Sequence, residues 1–410
     1  MHVNEEMGGV KSAGASSFIG LPQELIPKIL MHLSLKDVKR VMKSHLVLYE
    51  RMRRDMILWR CFSSKEHLSI AGCIEDAKNR YTLVRNVSKA RDERSIDFGT
   101  SQMDITHIQM GMGRVVCSSD DQTIKMFGTD GRLIKTLIGH KGGVWTFMFN
   151  QKHLVSGSID KTARIWDMWT GHTVCVLVGH KSVVRSLKIC GNYIATGSRD
   201  SEIRIWSFEG LCLNVLKGHT MSVRCMDMNE TYLVSGSYDG SVALWNYRKG
   251  RLIRHFKAHT LRVYSVCLEG EYVASGSLDS TVNVSRVDGK LLCTHKAHQS
   301  LVIWLKFVEN GRYLLSSGAD GILCKWDVVE NALVYKIEED GHITAQAVME
   351  DLLVIGTRKA VKIYDLKSGA FVRTLFSTPS LISKVEVLER CICIGYYSQF
   401  GMCRVVVFNY

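Results

Sequence analysis

GHKGGVW at 139–145 is followed by VSGSIDKTARIW at 155–166. GHKSVVR at 179–185 leads to ATGSRDSEIRIW at 195–206, and GHTMSVR at 218–224 leads to VSGSYDGSVALW at 234–245. His140, His180 and His219 lie 40 and 39 residues apart. The steps from Asp160 to Trp166, Asp200 to Trp206 and Asp239 to Trp245 are each six residues. A fixed period near 40 is the mark of a repeat architecture in which each copy is one supersecondary unit. The repeated residue types suit a buried polar chain. The Asp sits in a tight turn between two strands and accepts from the turn N–H groups and from the His. The His passes the chain to a Ser, and the Ser to the Trp N–H, so that every buried polar group has a partner. His140, Ser158, Asp160 and Trp166 are therefore expected to be structural. A set that recurs without a unique pocket is not a catalytic triad.

The spacing Gly-His, Ser-x-Asp, Trp resembles the WD repeat, which implies an all-β propeller. Strand sets are expected to start near Ile105, Val144, Val184, Val223, Val263, Val302 and Thr344, each giving four strands. A last set, near 384–387, 391–395 and 403–408, supplies three. An unpaired edge there would template aggregation, so a strand near 95–98 is expected to complete that blade. Eight blades follow, with seven as the alternative. The repeats are uneven. The first has Ser119, Asp121 and Phe127 without a Gly-His; the fifth has Ser285 for Trp. The sixth has Gly318 at the assigned serine position, with His298, Asp320 and Trp326, and the seventh lacks the Asp.

The chain has 410 residues, 46% of them hydrophobic, and only three prolines, Pro22, Pro27 and Pro379. No apolar run of transmembrane length occurs, so no transmembrane helix, and no membrane partner reached through one, is expected. Residues 1–18 lack a signal-like apolar core and have the composition of a disordered tail. Thirteen scattered cysteines fit reduced thiols and a location in nucleus and cytoplasm. Cys391 and Cys393 make a C-x-C with no second ligand pair at zinc spacing, so no metal and no cofactor is expected. The formal charge is +13; residues 1–102 hold 17 basic and 12 acidic residues, so the remainder is basic in its own right. That favours an acidic partner: nucleic acid, a membrane surface or a phosphoprotein.

Residues 19–62 differ from all that follows. Leu21, Leu25, Ile29 and Leu33 recur every four residues with Leu30 beside them, an apolar helix face. Pro22 suits a first helical turn. Ser34 and Asp37 form a possible start of a second helix, and Leu58-Trp59 closes the segment. LPQELIPKILMHLSLKD…LW resembles the F-box, a small all-α module. The resemblance implies a Skp-type adaptor and cullin complex as partners, held by Leu21, Pro22, Leu25, Ile29, Leu30 and Leu33. A bundle this small needs a partner for stability. Residues 63–93, with Ile74, Ala77, Tyr81 and Val84 at helical spacing, are expected to be a helical linker, and 94–410 the propeller.

In a propeller the residue five after the repeat His opens the inner strand, and the residue before the turn Asp lies on the same face. These positions hold Trp145, Arg185, Arg224, Tyr264 and Ile303, and Ile159, Arg199, Tyr238, Leu278 and Ala319. Arg185, Arg199 and Arg224 are expected to converge among aromatic residues, with Lys161 nearby. Guanidinium forks match phosphate oxygens bidentately. GHKSVVR, GSRD, GHTMSVRC and SGSYD resemble the phosphodegron-reading, cell-division-control branch of F-box/WD receptors. That resemblance implies phosphothreonine held by Arg185, Arg199 and Arg224, with Trp145, Tyr238 and Tyr264 lining the pocket and Lys161 beyond it. It implies a non-catalytic substrate receptor of a ubiquitin ligase, binding phosphorylated proteins, cell-cycle regulators among them. The family's dimerisation helix would precede the F-box, where no such segment is seen, so a homodimer is not expected. The competing reading is a WD-repeat scaffold binding RNA or ribosomal particles; with no RGG-like tail, nucleic acid is the weaker expectation.

Overall fold

The structure, a computed structural model, describes residues 96–101, 104–379, 381–388, 391–397 and 403–409. The tail, F-box and helical linker expected over 1–93 lie outside the described residues, as do Leu21, Pro22, Leu25, Ile29, Leu30 and Leu33.

The described residues form eight four-stranded antiparallel sheets. Seven are contiguous in sequence: 105–137, 144–177, 184–216, 223–256, 263–295, 302–338 and 343–377, here blades 1 to 7. Blade 8 joins the two ends of the propeller. Its inner strand is Ile382–Leu388, followed outward by Cys391–Tyr397 and Cys403–Asn409, and its outermost strand is Ile96–Ser101. Ile96 pairs with Val407 and Phe98 with Val405. This closure gives Cys403–Asn409 a partner on each side and settles the blade count at eight.

The core is a ring of layers between neighbouring sheets. Phe147, Leu154 and Trp166 of blade 2 pack on Val116, Met126 and Leu137 of blade 1. Val223, Met226 and Trp245 of blade 4 pack on Ile203 and Ile205 of blade 3. Val405 and Val407 of blade 8 close on Ile108 and Val115 of blade 1. Because both faces are covered, the second strand of a blade is buried almost throughout, as in His153–Ser158. The glycine in its Ser-Gly-Ser is set by the next blade: a Cβ at Gly157 would lie 2.6 Å from Val184 Cγ1, and one at Gly236 would lie 2.6 Å from Val263 Cγ1. The motif therefore records how closely each sheet approaches the next.

In blades 2 to 6 the polar chain runs not through the position assigned by sequence but through the residue two before it. In blade 2, Asp160 Oδ2 accepts from His140 Nδ1 at 2.8 Å and from the Lys141 N–H at 2.9 Å. His140 Nε2 lies 2.7 Å from Ser156 Oγ, which also accepts from Trp166 Nε1 at 2.8 Å. Ser158 instead donates to Gly142 O and accepts from the Asp160 N–H, bracing the turn. The reason is ladder register. Trp166 pairs with Leu154 across the ladder and its indole reaches the residue two further on, Ser156, on the same sheet face. Thr196 plays this part in blade 3 and Ser235 in blade 4. The sixth blade is consequently complete, since Ser316 links His298 to Trp326, and Gly318 lies outside the chain. Blade 5 keeps His259 and Ser275 but buries Ser285 where the Trp would be.

Candidate phosphate-binding mouth of the central channel

The inner strands of the propeller surround a channel of about 890 Å³, lined chiefly by blades 1 to 4 and 8. Its mouth is built by one repeated backbone device. The pairing of inner and second strands slips at the second residue of the inner strand, between Val144 and Thr146, Val184 and Ser186, Val223 and Cys225, and Val263 and Ser265. The residues skipped are Trp145, Arg185, Arg224 and Tyr264. A β-bulge re-aims the side chain it carries, and all four of these side chains line the channel.

The turn residues stand beside them. The Tyr238 N–H donates to Ser222 O, and the Arg199 N–H to Val183 O. Each turn is thereby tied to the backbone two residues before its own blade's bulge. Tyr238 lines the channel; Arg199 and Lys161 are exposed and lie outside its lining. Lys161 follows the turn Asp with φ of 69°, a left-handed position held by Gly240 in blade 4.

Arg185 is the pivot of the mouth. Its Nη1 donates to Tyr238 Oη at 3.0 Å, and its guanidinium carbon lies 4.6 Å from the centre of the Trp145 ring. The Arg224 guanidinium lies 5.7 Å from the Tyr264 ring centre, and Tyr238 and Tyr264 are 5.3 Å apart. Stacking on these quadrupolar faces holds both arginines in place without neutralising them. Among the described residues neither Arg185 nor Arg224 has a carboxylate ion-pair partner. Arg262, which sequence reasoning passed over, lies with its guanidinium 5.0 Å from the Tyr238 ring centre. Its position before an inner strand gives no signal in the repeat pattern.

The channel also holds charges that the motif hides. Lys188, Lys384, His107 and Glu386 line it, and Asp104 and Asp120 stand at the mouth on the blade 1 turn. Burial, with Arg224 beside it, holds the Lys384 ammonium below the usual lysine range, and Glu386 acts against this. Burial pushes Glu386 up to about 7, opposed by Lys306 and Lys384. His107 is lowered to about 3 by burial and then by Lys384 and Lys188, so it is neutral at physiological pH. Burial raises Asp120, which the Trp145 side chain partly offsets. Lys188 is paired with Asp227 at 3.0 Å.

With this geometry in view, the WD domain, G-beta repeat family matches residues 131–167 and 171–207, and the Vps42 beta-propeller family matches 211–385. The chain is a WD-repeat propeller protein. WD repeat-containing protein pop1 of Schizosaccharomyces pombe is 40% identical over 68 residues, which are 16% of this chain and 9% of that protein. Nuclear distribution protein nudF 2 of Talaromyces marneffei is 45% identical over 56 residues, 13% of this chain and 12% of that protein. Cell division control protein 4 of Saccharomyces cerevisiae is 36% identical over 69 residues, 16% of this chain and 9% of that protein. The chain thus matches roughly a tenth of the length of these relatives. A computationally designed protein, Ika8, superposes with a TM-score of 0.72 at 25% identity, over 78% of this chain and all of its own.

Proposed function

We propose that this WD-repeat propeller binds phosphorylated proteins at the channel mouth and acts as the substrate receptor of an SCF-type ubiquitin ligase. The observation that carries the reading is the pair Arg185 and Arg224. They stand on adjacent inner strands, walled by Trp145, Tyr238 and Tyr264, with no carboxylate partner among the described residues. A doubly charged phosphate compensates two guanidinium groups, and their forks match its oxygens. Trp145 offers a flat apolar wall for a residue following the phosphothreonine, such as proline. Arg199, exposed on the turn of blade 3 and tied to the backbone at Val183, supplies a third guanidinium from the rim. Lys161 belongs to the outer edge of the site. The short similarity to Cell division control protein 4 agrees with this reading.

In this role the propeller transfers no ubiquitin itself. It holds the target so that a lysine lies near the conjugating enzyme, a proximity effect. The segment 19–62 would hold the Skp-type adaptor and, through it, the cullin, in the nucleus and cytoplasm. Two measurements test the proposal. A fluorescent phosphothreonine-proline peptide should bind, and its unphosphorylated twin should not; equal binding refutes the pocket. Adaptor and cullin should co-purify with the full chain, and Leu25→Ala with Leu30→Ala should abolish this. Unchanged co-purification removes the ligase role.

A further inference from the structure

Blade 4 differs from the other WD blades at one position on its outermost strand. His255 lies on Arg251–Phe256, opposite Ala243. The registers place Thr136, Val176, Val215, Thr294 and Lys336 at the equivalent position of blades 1, 2, 3, 5 and 6. Only blade 4 of these six carries an imidazole there. It faces the polar chain of its own blade: His255 Nε2 lies 2.9 Å from Ser241 Oγ, and the same oxygen lies 2.9 Å from His219 Nδ1. Ser241 also donates to the Asp239 carboxylate. Two imidazole nitrogens and a carboxylate oxygen thus surround one hydroxyl.

We propose that His219, Asp239 and His255 form a binding site for a single divalent zinc ion. Their ligand atoms all lie within 4.8 Å of one another, and His219 Nδ1 is 3.4 Å from Asp239 Oδ2. Tetrahedral ligands at zinc bond lengths of roughly 2.0–2.2 Å stand about 3.4 Å apart. The His219–Asp239 pair therefore has a separation compatible with a zinc ion, and the ligand nitrogen of the exposed His255 lies within 4.8 Å of both.

The surroundings suit the ion. The Asp239 carboxylate accepts from the Ser241 hydroxyl and from the Thr220 N–H. The Thr220 N–H at 2.8 Å fixes its orientation. For His219 to ligate through Nδ1, its proton must sit on Nε2, which lies 2.7 Å from Ser235 Oγ. Ser235 can accept that proton and the Trp245 N–H while donating to Ala243 O, which uses both lone pairs and its one hydrogen. Such outer partners orient metal-bound imidazoles. The donors come from three separate strands or turns, so no sequence spacing announces them. The ion would replace the hydrogen-bond link through Ser241 with direct bonds, with the Ser241 hydroxyl beside the fourth position.

This site does not rest on the phosphate reading: none of its three ligands lines the channel, although Asp239 follows Tyr238 on the same turn. The test uses the full chain. His255→Val installs the residue found at the same place in blades 2 and 3, and His255→Thr the residue of blades 1 and 5, so at least one should fold with an unchanged metal-free melting temperature. Zinc bound per chain, measured by equilibrium dialysis against ZnCl2, should fall by one equivalent in the variant, with loss of at least tenfold in affinity at that site. Zinc should raise the melting temperature of the wild type and not that of the variant. Cobalt(II) titration separates the site from the many thiols: the difference spectrum of wild type minus variant should show ligand-field bands without thiolate charge transfer. Equal zinc stoichiometry and equal zinc-induced stabilisation in wild type and variant would overturn the proposal. So would a difference spectrum dominated by thiolate bands.

Discussion

The indole N–H of Trp166 donates to Ser156 Oγ at 2.8 Å, deep between two sheets. The same oxygen meets His140, so a single hydroxyl satisfies two buried rings. Ser156→Ala leaves both nitrogens without a partner. Unsatisfied buried groups cost about 1–3 kcal/mol each, so denaturant unfolding should show a loss of about 2–4 kcal/mol. A midpoint equal to wild type contradicts the assignment of Ser156 as the link.

Asp200 gives the polar chain a pH signature. Burial raises its carboxyl, but the bond from His180 and the N–H groups of Lys181 and Glu202 outweigh it and bring it to about 2. A depressed carboxyl stabilises the fold above its unfolded value of about 3.9. That contribution disappears as pH falls from about 3.9 to about 2. Asp200→Asn should therefore lose on the order of 2 kcal/mol at neutral pH and converge with wild type near pH 2. Parallel stability curves across acid pH would show that the carboxylate is not held this way.

Glu386 carries the opposite sign. Its folded value, about 7, lies above the ordinary carboxylate range because the channel wall buries it. Between about 4.3 and 7 the folded chain keeps a proton that the unfolded chain has lost, so stability falls as pH rises through that window and stays reduced above it. Glu386→Gln removes the penalty. Channel water screens the effect, so the gain at pH 8 should be on the order of 1–2 kcal/mol, vanishing below pH 4. Melting temperatures of the two proteins at pH 4 and pH 8 check this; an equal difference at both contradicts it.

The repeat spacing made the propeller legible, because buried sheets at a fixed period must reuse the same turn and ring contacts. Closure by Ile96–Ser101 was legible from the unpaired three-strand remainder alone. The linking serine was not: Ser156 and Ser158 share a face, and only ladder register separates the one under the indole from the one bracing the turn. That Trp145, Arg185, Arg224 and Tyr264 line the channel was legible because bulges recur with the repeat, and Tyr238 because its turn does. Arg199 occupies an equivalent turn but stays exposed outside the lining. Lys384 and Glu386 were hidden because blade 8 lacks the motif that would have set their register.

The pairing of Arg185 and Arg224 is the centre of the functional account. Its most direct test is titration of one phosphothreonine-proline peptide against wild type and the Arg185→Ala, Arg224→Ala, Arg224→Lys and Lys161→Ala proteins. Each arginine loss should weaken binding by about 1.5–3 kcal/mol, the scale of a charged hydrogen bond. Arg224→Lys should also lose affinity, since an ammonium cannot fork across two oxygens, and Lys161→Ala should change little. Full affinity in the Arg224→Ala protein would contradict the account.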